Sequence, residues 1–486
     1  MIRIYDTTHR KVVQLETRDE GHVRMYLCGP TVYNSVHIGN ARTIAWFEFI
    51  RRYLTYRGFE VTYVMNYTDV DDKIIERAKV EGTTPEKITD KYSRLFEADM
   101  AALGVSPPDV LSLATEHIPG MVTAIQGLID RGAAYDADGD VFFSVEKFDG
   151  YGKLSGRTLE EMRAGERVEP HAGKHHPLDF ALWKSAKEGE PAWDSPWGPG
   201  RPGWHIECSV MSTRYLGMGF DLHGGATDLI FPHHENEIAQ AEALEGTEPF
   251  VRHWLHAGLV QMDEEKMSKS LGNVVLAKDA VTHFTAPAVR YWILGGSYRT
   301  QATFSEDSLH DARQAYERWN NFLVASRHAL GEQTPAPPDQ PRRPLVPDPV
   351  FDGAGGPFVR RFVDALDDDL RSPEAFAAVH DLVRLGNGLI EPAQEGDTSA
   401  LASLTEVTEA FLELTTVLGF SFGTAEAPPG LTADLIEYLL ELRDQARAEK
   451  AFERADAIRD KLSQLGVVIE DTAGGARWRI GAEQAG

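Results

Sequence analysis

The sequence predicts an α/β protein whose main domain is a Rossmann-like parallel sheet with an insertion, followed by a helical bundle and a small C-terminal α+β unit. Residues 23–28 form an apolar run that Gly29 and Pro30 end, which is typical of a buried strand. From about Asn40, apolar residues recur at three- and four-residue spacing and indicate a helix, and residues 60–66 form a second apolar run. Strand, glycine-bearing turn, helix and strand make the order of a nucleotide-binding βαβ unit, whose ligands lie at the carboxyl ends of the strands.

Changes in composition divide the remainder of the chain. Short β-like runs mix with glycine, proline and tryptophan after residue 133, which indicates an insertion, and proline-rich segments separate the later helical stretches. The last unit is predicted to contain one helix over 442–465 and a strand at 467–469. The predicted units are 1–132 and 203–250 for the two halves of the main domain, 133–202 for the insertion, 251–305 for a loop region with two short helices, 306–424 for the bundle and 431–480 for the C-terminal unit.

Bulk composition limits the class of protein. A chain of 486 residues that is 42% hydrophobic can bury a large core and form about three domains of ~150 residues. It has no apolar run near the ~20 residues that a membrane span needs, and its N-terminus does not resemble a secretory signal. Two cysteines exclude a disulfide framework and favour a reducing cytoplasm. The net charge of −26 argues against indiscriminate polyanion binding but allows a local nucleic-acid site.

Two distant segments carry the strongest functional pattern. Residues 266–270 read Lys-Met-Ser-Lys-Ser, and His37-Ile38-Gly39-Asn40 lies far upstream, where a strand gives way to a helix. Lysines that flank small hydroxyl residues suit a phosphate clamp, and an imidazole at a helix N-terminus suits the same ligand. Together the segments predict that ATP is held between them and activates a carboxylate, whereas the upstream segment alone would equally fit an ordinary turn.

The two cysteines suggest a metal site. Cys28 ends the first predicted strand, and Cys208 lies upstream of a helix that is predicted to begin at its proline, residue 232. On that helix His233 would share a face with Glu237 at four-residue spacing, and His234 would do so at three-residue spacing. Two thiols, one of these imidazoles and a carboxylate would make a four-ligand zinc site. Cysteines that act as small buried apolar residues are the alternative.

With these motifs the chain resembles the class I aminoacyl-tRNA synthetases and, among them, the cysteinyl-tRNA synthetases. Asn40 stands where many synthetases have histidine, and an asparagine side chain can also donate to a phosphate oxygen. The resemblance implies that the main domain is catalytic and that L-cysteine reacts with ATP and is then transferred to tRNA(Cys). It runs essentially end to end, over residues 25–33, 37–42, 66–73, 203–208, 231–237, 266–273, 454–460, 470–472 and 477–479.

The same resemblance implies the metal and its ligands. In the family pattern the zinc ligands correspond to Cys28, Cys208, His233 and Glu237, which selects His233 over His234. Zinc with sulfur ligands prefers a thiolate to a hydroxyl, so the substrate thiol itself would distinguish cysteine from serine. No separate editing domain is then expected, and the insertion is too small for one. The expected cofactors are one zinc ion per chain and Mg²⁺ with ATP.

The remaining roles follow from the family's motifs. His37 and Asn40 are expected to stabilise charge on the phosphates, beside Gly39 in the ATP site. Lys266 and Lys269 are expected to neutralise the departing pyrophosphate together with Mg²⁺. Gly224, Gly225 and Asp228 are expected to hold the adenosine, with an ordinary turn at 224–228 as the alternative. The amino acid is expected to contact Thr68 and Trp204, with a simple core role for the tryptophan as the alternative.

The C-terminal unit is expected to contact tRNA. Residues 441–480 contain as many basic as acidic residues, so charge alone favours a solvated helix with salt bridges. Resemblance to the family's anticodon-binding domain favours RNA contact instead. Arg447 is then a candidate for phosphate contact, and Phe452 or Trp478 for stacking on an unpaired base. We expect a monomer with no membrane partner.

Three other functions are weighed against this one. A cysteine ligase that acts on an amino-sugar, of the mycothiol-pathway type, shares the catalytic core and zinc site but lacks a full anticodon-binding tail, which this chain has after Gly430. A non-catalytic RNA-binding relative would need neither the lysine motif nor the metal ligands. Hydrolysis or redox chemistry at zinc is disfavoured because four protein ligands reserve no position for water.

Overall fold

The computed structural model describes residues 1–165, 173–247, 249–262, 265–266, 275–341, 343, 352–422, 431–465, 467–472 and 475–480. The strands are β1 Arg3–Asp6, β2 Lys11–Gln14, β3 His22–Leu27, β4 Glu60–Tyr67, β5 Val110–Leu113, β6 Ala134–Ala137, β7 Asp140–Phe143, β8 Phe180–Ser185, β9 Gly200–Pro202, β10 Phe220–Ala226, β11 Val251–Ala257, β12 Val260–Met262, β13 Glu265–Lys266, β14 Ala302–Phe304, β15 Val467–Thr472 and β16 Gly475–Ile480. The helices are α1 Ile38–Tyr56, α2 Asp72–Glu81, α3 Pro85–Ala102, α4 Ile118–Asp130, α5 Leu159–Gly165, α6 Trp204–Leu216, α7 Glu235–Glu245, α8 Ala277–Phe284, α9 Ala286–Gly295, α10 Glu306–Leu330, α11 Gly356–Asp367, α12 Ser372–Gln394, α13 Thr398–Val417, α14 Leu431–Ala448 and α15 Phe452–Gln464.

A parallel five-stranded sheet organises the main domain, in the order β11-β10-β3-β4-β5. Helix α1 connects β3 to β4, and α7 connects β10 to β11, so the two halves of the sheet wind outward from the β3–β10 boundary. Side chains of β3 and β10 are almost all buried because helices cover both faces. The Rossmann-like α/β prediction is confirmed. Ligands of such sheets bind where the strand order reverses, at the carboxyl ends of the strands.

The segment 133–202 contains a separate antiparallel sheet of four strands, β6-β7-β8-β9. Its inward side chains, including Phe143 and Trp183, join the buried apolar cluster that also covers α4, α6 and α7. The insertion therefore shares its core with the main domain. A smaller sheet, β13-β12-β14, combines the two strands that follow β11 with β14, which comes after α8 and α9.

The helical bundle consists of α10 to α13, packed around buried Trp319, Phe322, Phe376 and Phe411. Helix α10 starts at Glu306, where Ser305 and Ser308 form a reciprocal cap. No helix of the described part of the chain combines the length and apolarity that a bilayer crossing needs.

The chain divides into two compact units, residues 1–421 and 422–486. The second contains α14, α15 and the antiparallel hairpin β15–β16 around Ile436, Leu440, Leu462 and Val467. The prediction of one helix over 442–465 is wrong, because two helices meet at residues 449–451. Lys450 has a positive φ of 59° there, which turns α15 back onto α14.

Two boundaries in the main domain also differ from the predictions. Strand β11 lies in the segment 251–305, which the sequence predicts to hold the lysine loop and two short helices, although this strand belongs to the central sheet. The helix expected from Pro232 begins at Glu235, because Phe231 has an extended backbone and residues 230–234 form an irregular turn. A period-based reading of the sequence cannot detect such a local interruption.

Candidate active site

The candidate site lies at the carboxyl edge of the central sheet. Cys28 directly follows β3, and its amide donates to the carbonyl of Gly224 in the adjacent β10, with an N–O distance of 3.1 Å. Thr68 directly follows β4, and Asp228 lies just after β10. The first turn of α1 faces the same cleft, which is lined by Cys28, His37, Asn40, Trp204 and Asp228 among others. The topology therefore brings together segments that are some 200 residues apart.

Four predicted metal ligands converge behind this cleft. The ligand atoms of Cys28, Cys208, His233 and Glu237 all lie within 4.8 Å of one another, and the last three residues are fully buried. The Cys28 Sγ atom is 3.5 Å from His233 Nε2 and 3.3 Å from Glu237 Oε1, and the latter two atoms are 3.0 Å apart. Tetrahedral ligands at ~2.0–2.3 Å from zinc stand roughly 3.3–3.8 Å from one another. The donor types and spacings thus fit one zinc ion.

The electrostatics of the cluster favour an anionic Glu237 and an anionic Cys208 but a neutral Cys28 thiol. Burial opposes charge on Glu237, but His223 and His233 outweigh burial and lower the pKa of this carboxyl to about 2. Burial also opposes a thiolate at Cys208, yet hydrogen bonding from Cys28 and His233 lowers its pKa to about 6. Burial raises the pKa of the Cys28 thiol, and the negative charges of Cys208 and Glu237 raise it further. A cation placed among these donors would relieve the repulsion between the two sulfur atoms.

Neighbouring side chains orient the ligands. His205 Nδ1 lies 2.8 Å from His233 Nδ1, and His223 Nε2 lies 2.8 Å from Glu237 Oε2. Each of these contacts leaves the opposite atom, His233 Nε2 or Glu237 Oε1, directed at the cluster. Trp204 stacks on the His233 ring at 4.1 Å between centroids. Such contacts hold ligands in one orientation and raise metal affinity.

His234 is buried against a different group of residues. Its Nδ1 atom is 2.7 Å from His256 Nε2, and burial together with neighbouring histidines lowers its pKa far below the usual value. A second set of donors, with His223 and His234 in place of Cys208 and His233, also lies within 4.8 Å. That set contains one sulfur atom instead of two.

The insertion braces the helix that carries Glu237, a contact that the sequence does not predict. Tyr151 donates to Asn236, and Lys153 pairs with Glu242. The amides of Leu154 and Ser155 donate to the two carboxylate oxygens of Glu235 at 3.3 and 2.7 Å. These contacts bind residues 151–155 to α7. The only sequence signal was an unusual density of polar residues, Glu235 to Glu237, on a helix that proves to be buried.

At the opposite wall of the cleft, His37 caps α1. Its Nδ1 atom accepts from the Asn40 amide at 3.3 Å, which places the proton of the neutral ring on Nε2. Gly39 lies under the same ring, and a Cβ atom there would come 3.1 Å from His37 Nδ1. His37 and Asn40 both line the cleft, as predicted for a site at a helix N-terminus.

The lysine motif lies largely outside the described residues. Lys269 falls there, and of Lys266 the structure describes only the backbone, in β13, where it pairs with Gln261 of β12. On the other side of the motif, the amide of Ile38 donates to the Val275 carbonyl at 2.9 Å, and the amide of Ala277 donates to the carbonyl of residue 36 at 3.0 Å. The chain that follows the motif is therefore hydrogen-bonded to the segment that enters α1.

The predicted ATP and amino-acid contacts fall in two groups. Asp228 and Trp204 line the cleft, and Trp204 is 38% exposed. Gly224 and Gly225 are buried, and a Cβ on Gly224 would come within 1.9 Å of the Phe47 ring of α1, so packing alone requires a glycine there. Thr68 is also buried and donates to Glu207 at 2.9 Å. The ligand roles of these residues remain predictions.

The tRNA candidates lie in the second unit. Phe452, the first residue of α15, is 60% exposed, and Arg447 lies in the last turn of α14. Trp478 belongs to β16, where its backbone pairs with Ile469, but its side chain lies outside the described residues. The structure thus leaves one large aromatic side chain on the surface at the α14–α15 turn.

Comparisons with known proteins agree with this architecture. Residues 14–314 match the family described as the class I (C) tRNA synthetase catalytic domain, residues 361–423 a DALR domain, and residues 429–479 the cysteinyl-tRNA ligase anticodon binding domain. The chain is 46% identical to a cysteine–tRNA ligase of Carboxydothermus hydrogenoformans over 98% of this chain and 100% of the relative. It is 44% identical to that of Desulfitobacterium hafniense over 99% of both chains.

Solved structures of lower identity share the fold. Methionyl-tRNA synthetase of Mycobacterium tuberculosis, in complex with methionyl-adenylate, aligns with a TM-score of 0.61 at 15% identity, over 82% of this chain and 91% of the other. A LeuRS of Agrobacterium radiobacter, in a ternary complex with tRNA, aligns with a TM-score of 0.58 at 12% identity, over 83% and 84%. These alignments extend from the sheet into the helical bundle.

Proposed function

Because the chain belongs to the cysteine–tRNA ligase family of class I synthetases, we propose that it activates L-cysteine with ATP and transfers it to tRNA(Cys). In the first step a carboxylate oxygen of cysteine attacks the α-phosphorus of ATP, and the bond to pyrophosphate breaks. In the second step a terminal ribose hydroxyl of the tRNA attacks the cysteinyl-adenylate carbonyl, loses its proton and releases AMP. The observation that carries the proposal is a sulfur-rich donor cluster, with ligand atoms all within 4.8 Å of one another, at the cleft that the N-terminus of α1 also lines.

Cys28, Cys208, His233 and Glu237 would hold a zinc ion. When bound, zinc supplies a soft Lewis-acidic position that prefers a thiolate to a hydroxyl. Cysteine and serine are too similar in size for an apolar pocket to separate them by more than about 100-fold. A donor set with two sulfur atoms therefore supports thiol recognition, whereas the alternative set with His223 and His234 has only one. Trp204, which stacks on His233 and lines the cleft, would contact the amino acid together with Thr68, which is buried just after β4.

The phosphates of ATP would lie against α1. His37 accepts from the Asn40 amide through Nδ1, so Nε2 carries the proton of the neutral ring, and both His37 and Asn40 line the cleft. Donors at a helix N-terminus stabilise phosphate charge without reorganising during the reaction. Gly39 keeps the first turn narrow enough for this approach. Lys266 and Lys269, with Mg²⁺, would neutralise charge on the departing pyrophosphate.

The adenosine of ATP would bind beside the end of β10. Asp228 lines the cleft and would accept from the ribose hydroxyls, and Gly224 and Gly225 would allow the nucleoside to approach the sheet edge. Arg447, Phe452 and Trp478 would contact the tRNA through the anticodon-binding unit, where an exposed aromatic ring suits an unpaired base. We place the reaction in the cytoplasm, where tRNA is charged and thiols stay reduced, and we expect a monomer.

The amino-sugar ligase alternative is not supported. Residues 429–479 match an anticodon binding domain, and the relatives that cover the whole chain are cysteine–tRNA ligases. An amino-sugar acceptor would give that domain no role.

The direct test is charging. Purified protein is incubated with zinc, ATP, Mg²⁺ and unfractionated tRNA, and with labelled cysteine or labelled serine in parallel. We expect label on tRNA from cysteine alone. Cysteine-dependent exchange of pyrophosphate into ATP without charging of tRNA would contradict tRNA as the acceptor, and absence of both would contradict the activity itself.

A further inference from the structure

Arg42, in the first turns of α1 beyond the His37–Asn40 segment, is a buried cation with an unusual set of partners. It is 2% exposed, and among the described residues it pairs with no carboxylate. Its guanidinium instead donates to backbone carbonyls: to Gly258, to Ser297 at 2.8 Å and to Thr300 at 3.1 Å. Burial lowers the pKa of Arg42 only to about 10, so the group is cationic at neutral pH.

The carbonyls that Arg42 contacts mark one crossing of the chain. Gly258 follows β11 and precedes β12, and residues 297–300 precede β14. The amide of Gly258 donates to Tyr298 at 2.7 Å, and a Cβ on Gly258 would come within 2.2 Å of the Thr300 carbonyl oxygen. The two segments therefore touch at this point, and they then continue as the paired strands β12 and β14.

The lysine-bearing hairpin starts at this crossing. Strand β12 pairs with β14 on one side and with β13, which contains Lys266, on the other. The chain beyond the lysine motif is hydrogen-bonded by its backbone to residues 36–38. The segments before and after the motif are thus both fixed to the start of α1, the first by the Arg42 side chain and the second by main-chain hydrogen bonds.

We propose that Arg42 is a positioning residue for the pyrophosphate-releasing step, because it fixes the β12–β13 hairpin against the phosphate-facing first turn of α1. The inference rests on the proposed function. A planar guanidinium can bridge carbonyls on two segments at once, whereas an ammonium is a compact point donor on a flexible stem. Trp46, one turn further along α1, donates separately to the Ile293 carbonyl at 3.0 Å, so α1 keeps its contact with α9 when Arg42 is changed.

The test is Arg42→Lys, with Arg57→Lys as the matched control. Arg57 lies just beyond the other end of α1, is 4% exposed, and donates to the carbonyl of Arg343 at 3.0 Å and to Asp367. Arg42→Lys is expected to lower kcat for cysteine-dependent ATP–pyrophosphate exchange on the order of 100-fold, since small misplacements of charged groups have effects of that size. Bound zinc, cysteine affinity without ATP and transfer from preformed adenylate should stay as in the wild type. Arg57→Lys should keep the wild-type kcat.

Either of two results would overturn the proposal for Arg42. A wild-type kcat in folded Arg42→Lys, or a parallel loss of zinc and cysteine binding, would overturn the positioning role. If Arg42→Lys does not fold, Gly258→Ala disturbs the same crossing from its other side. The same selective loss of kcat is expected there, and an unchanged kcat would overturn the proposal. Failure of wild-type protein to exchange pyrophosphate or charge tRNA would instead defeat the proposed function.

Discussion

The two walls of the candidate site are held in different ways. The sulfur wall, made of Cys28, Cys208, His233 and Glu237, is a set of side chains from separate segments, of which His233 and Glu237 are oriented by His205 and His223. The phosphate wall, made of residues 37–40 and the β12–β13 hairpin, is fixed chiefly through backbone atoms: the His37 cap, the pairing of residues 36–38 with 275–277 and the carbonyls bound by Arg42.

We infer from this difference that the sulfur wall determines recognition of cysteine and that the phosphate wall determines the rate of its activation. A fixed donor set determines which side chain binds before any reaction occurs. Groups at the phosphates contribute mainly when charge develops on them. Changes in the sulfur wall should therefore remove recognition, and changes in the phosphate wall should slow activation while recognition persists. The following predictions test that separation, from the largest effect to the smallest.

Cys208→Ser should have the largest effect. Replacing a sulfur ligand by a hydroxyl weakens zinc binding, and the thiol-binding position is lost with the metal. We expect cysteine-dependent pyrophosphate exchange to fall by roughly 1,000-fold or more, consistent with losing an electrostatic group of this kind. Metal analysis of the purified variant should show little zinc. Met211→Leu, on the same buried face of α6, is the control and should keep both the bound zinc and the pyrophosphate exchange. Retained zinc with near-normal exchange would contradict the sulfur-wall assignment.

Lys269→Ala should slow activation without altering recognition. Loss of one charge-stabilising donor typically costs about 100- to 1,000-fold in kcat. Pre-steady-state formation of the adenylate should show this loss, whereas zinc content, cysteine affinity and tRNA affinity should be unchanged. Lys278→Ala, an exposed lysine in α8, provides the control. A defect confined to tRNA binding would count against the assignment.

Glu235→Gln should weaken the sulfur wall indirectly. The Glu235 carboxylate now accepts from two backbone N–H groups, those of Leu154 and Ser155, one at each oxygen. A glutamine side chain has only one acceptor oxygen for them. Loss of such an outer contact typically lowers metal affinity about 10- to 100-fold. Competition with a zinc chelator measures it, with Glu161→Gln in the same insertion as the control. Unchanged zinc affinity would show that the insertion does not support the ligands.

Phe452→Ala should have the smallest effect and should touch neither wall. A stacked base contributes about 1–3 kcal/mol, so KM for tRNA should rise at least about fivefold. Pyrophosphate exchange, which needs no tRNA, should be unaffected. Leu465→Ala removes a similarly exposed aliphatic side chain and should change neither value. An unchanged KM for Phe452→Ala would remove this ring from the tRNA contacts.

Most of the fold, but only part of the candidate site, could be predicted from the sequence. The apolar runs at 23–28 and 60–66 predicted β3 and β4 to within one residue, because buried parallel strands have a strong local signal. Breaks set by single backbone angles were missed, such as the turn at Lys450 and the extended Phe231 before α7. Those angles are stabilised by tertiary packing, which periodicity does not report.

In the candidate site, the residue types of the metal ligands could be predicted from the sequence, but their hydrogen-bond partners could not. Spacing left His233 and His234 equivalent, and only resemblance separated them, since their difference arises from contacts with His205 and His256. The bracing of Glu235 by residues 154–155 joins segments 80 residues apart. Gly224 shows that a motif residue can also be explained by packing. The sequence predicts an adenosine contact there, but the Phe47 ring already requires a residue without a side chain.

The most direct test of the account is calorimetric binding of cysteine and serine, without ATP, to protein preparations of graded zinc content. The account predicts that the number of cysteine sites equals the number of zinc ions, that serine binds at least about 1,000-fold more weakly, and that zinc-free protein binds neither, because thiolate ligation supplies the selectivity. Equal cysteine binding by zinc-loaded and zinc-free protein would contradict it.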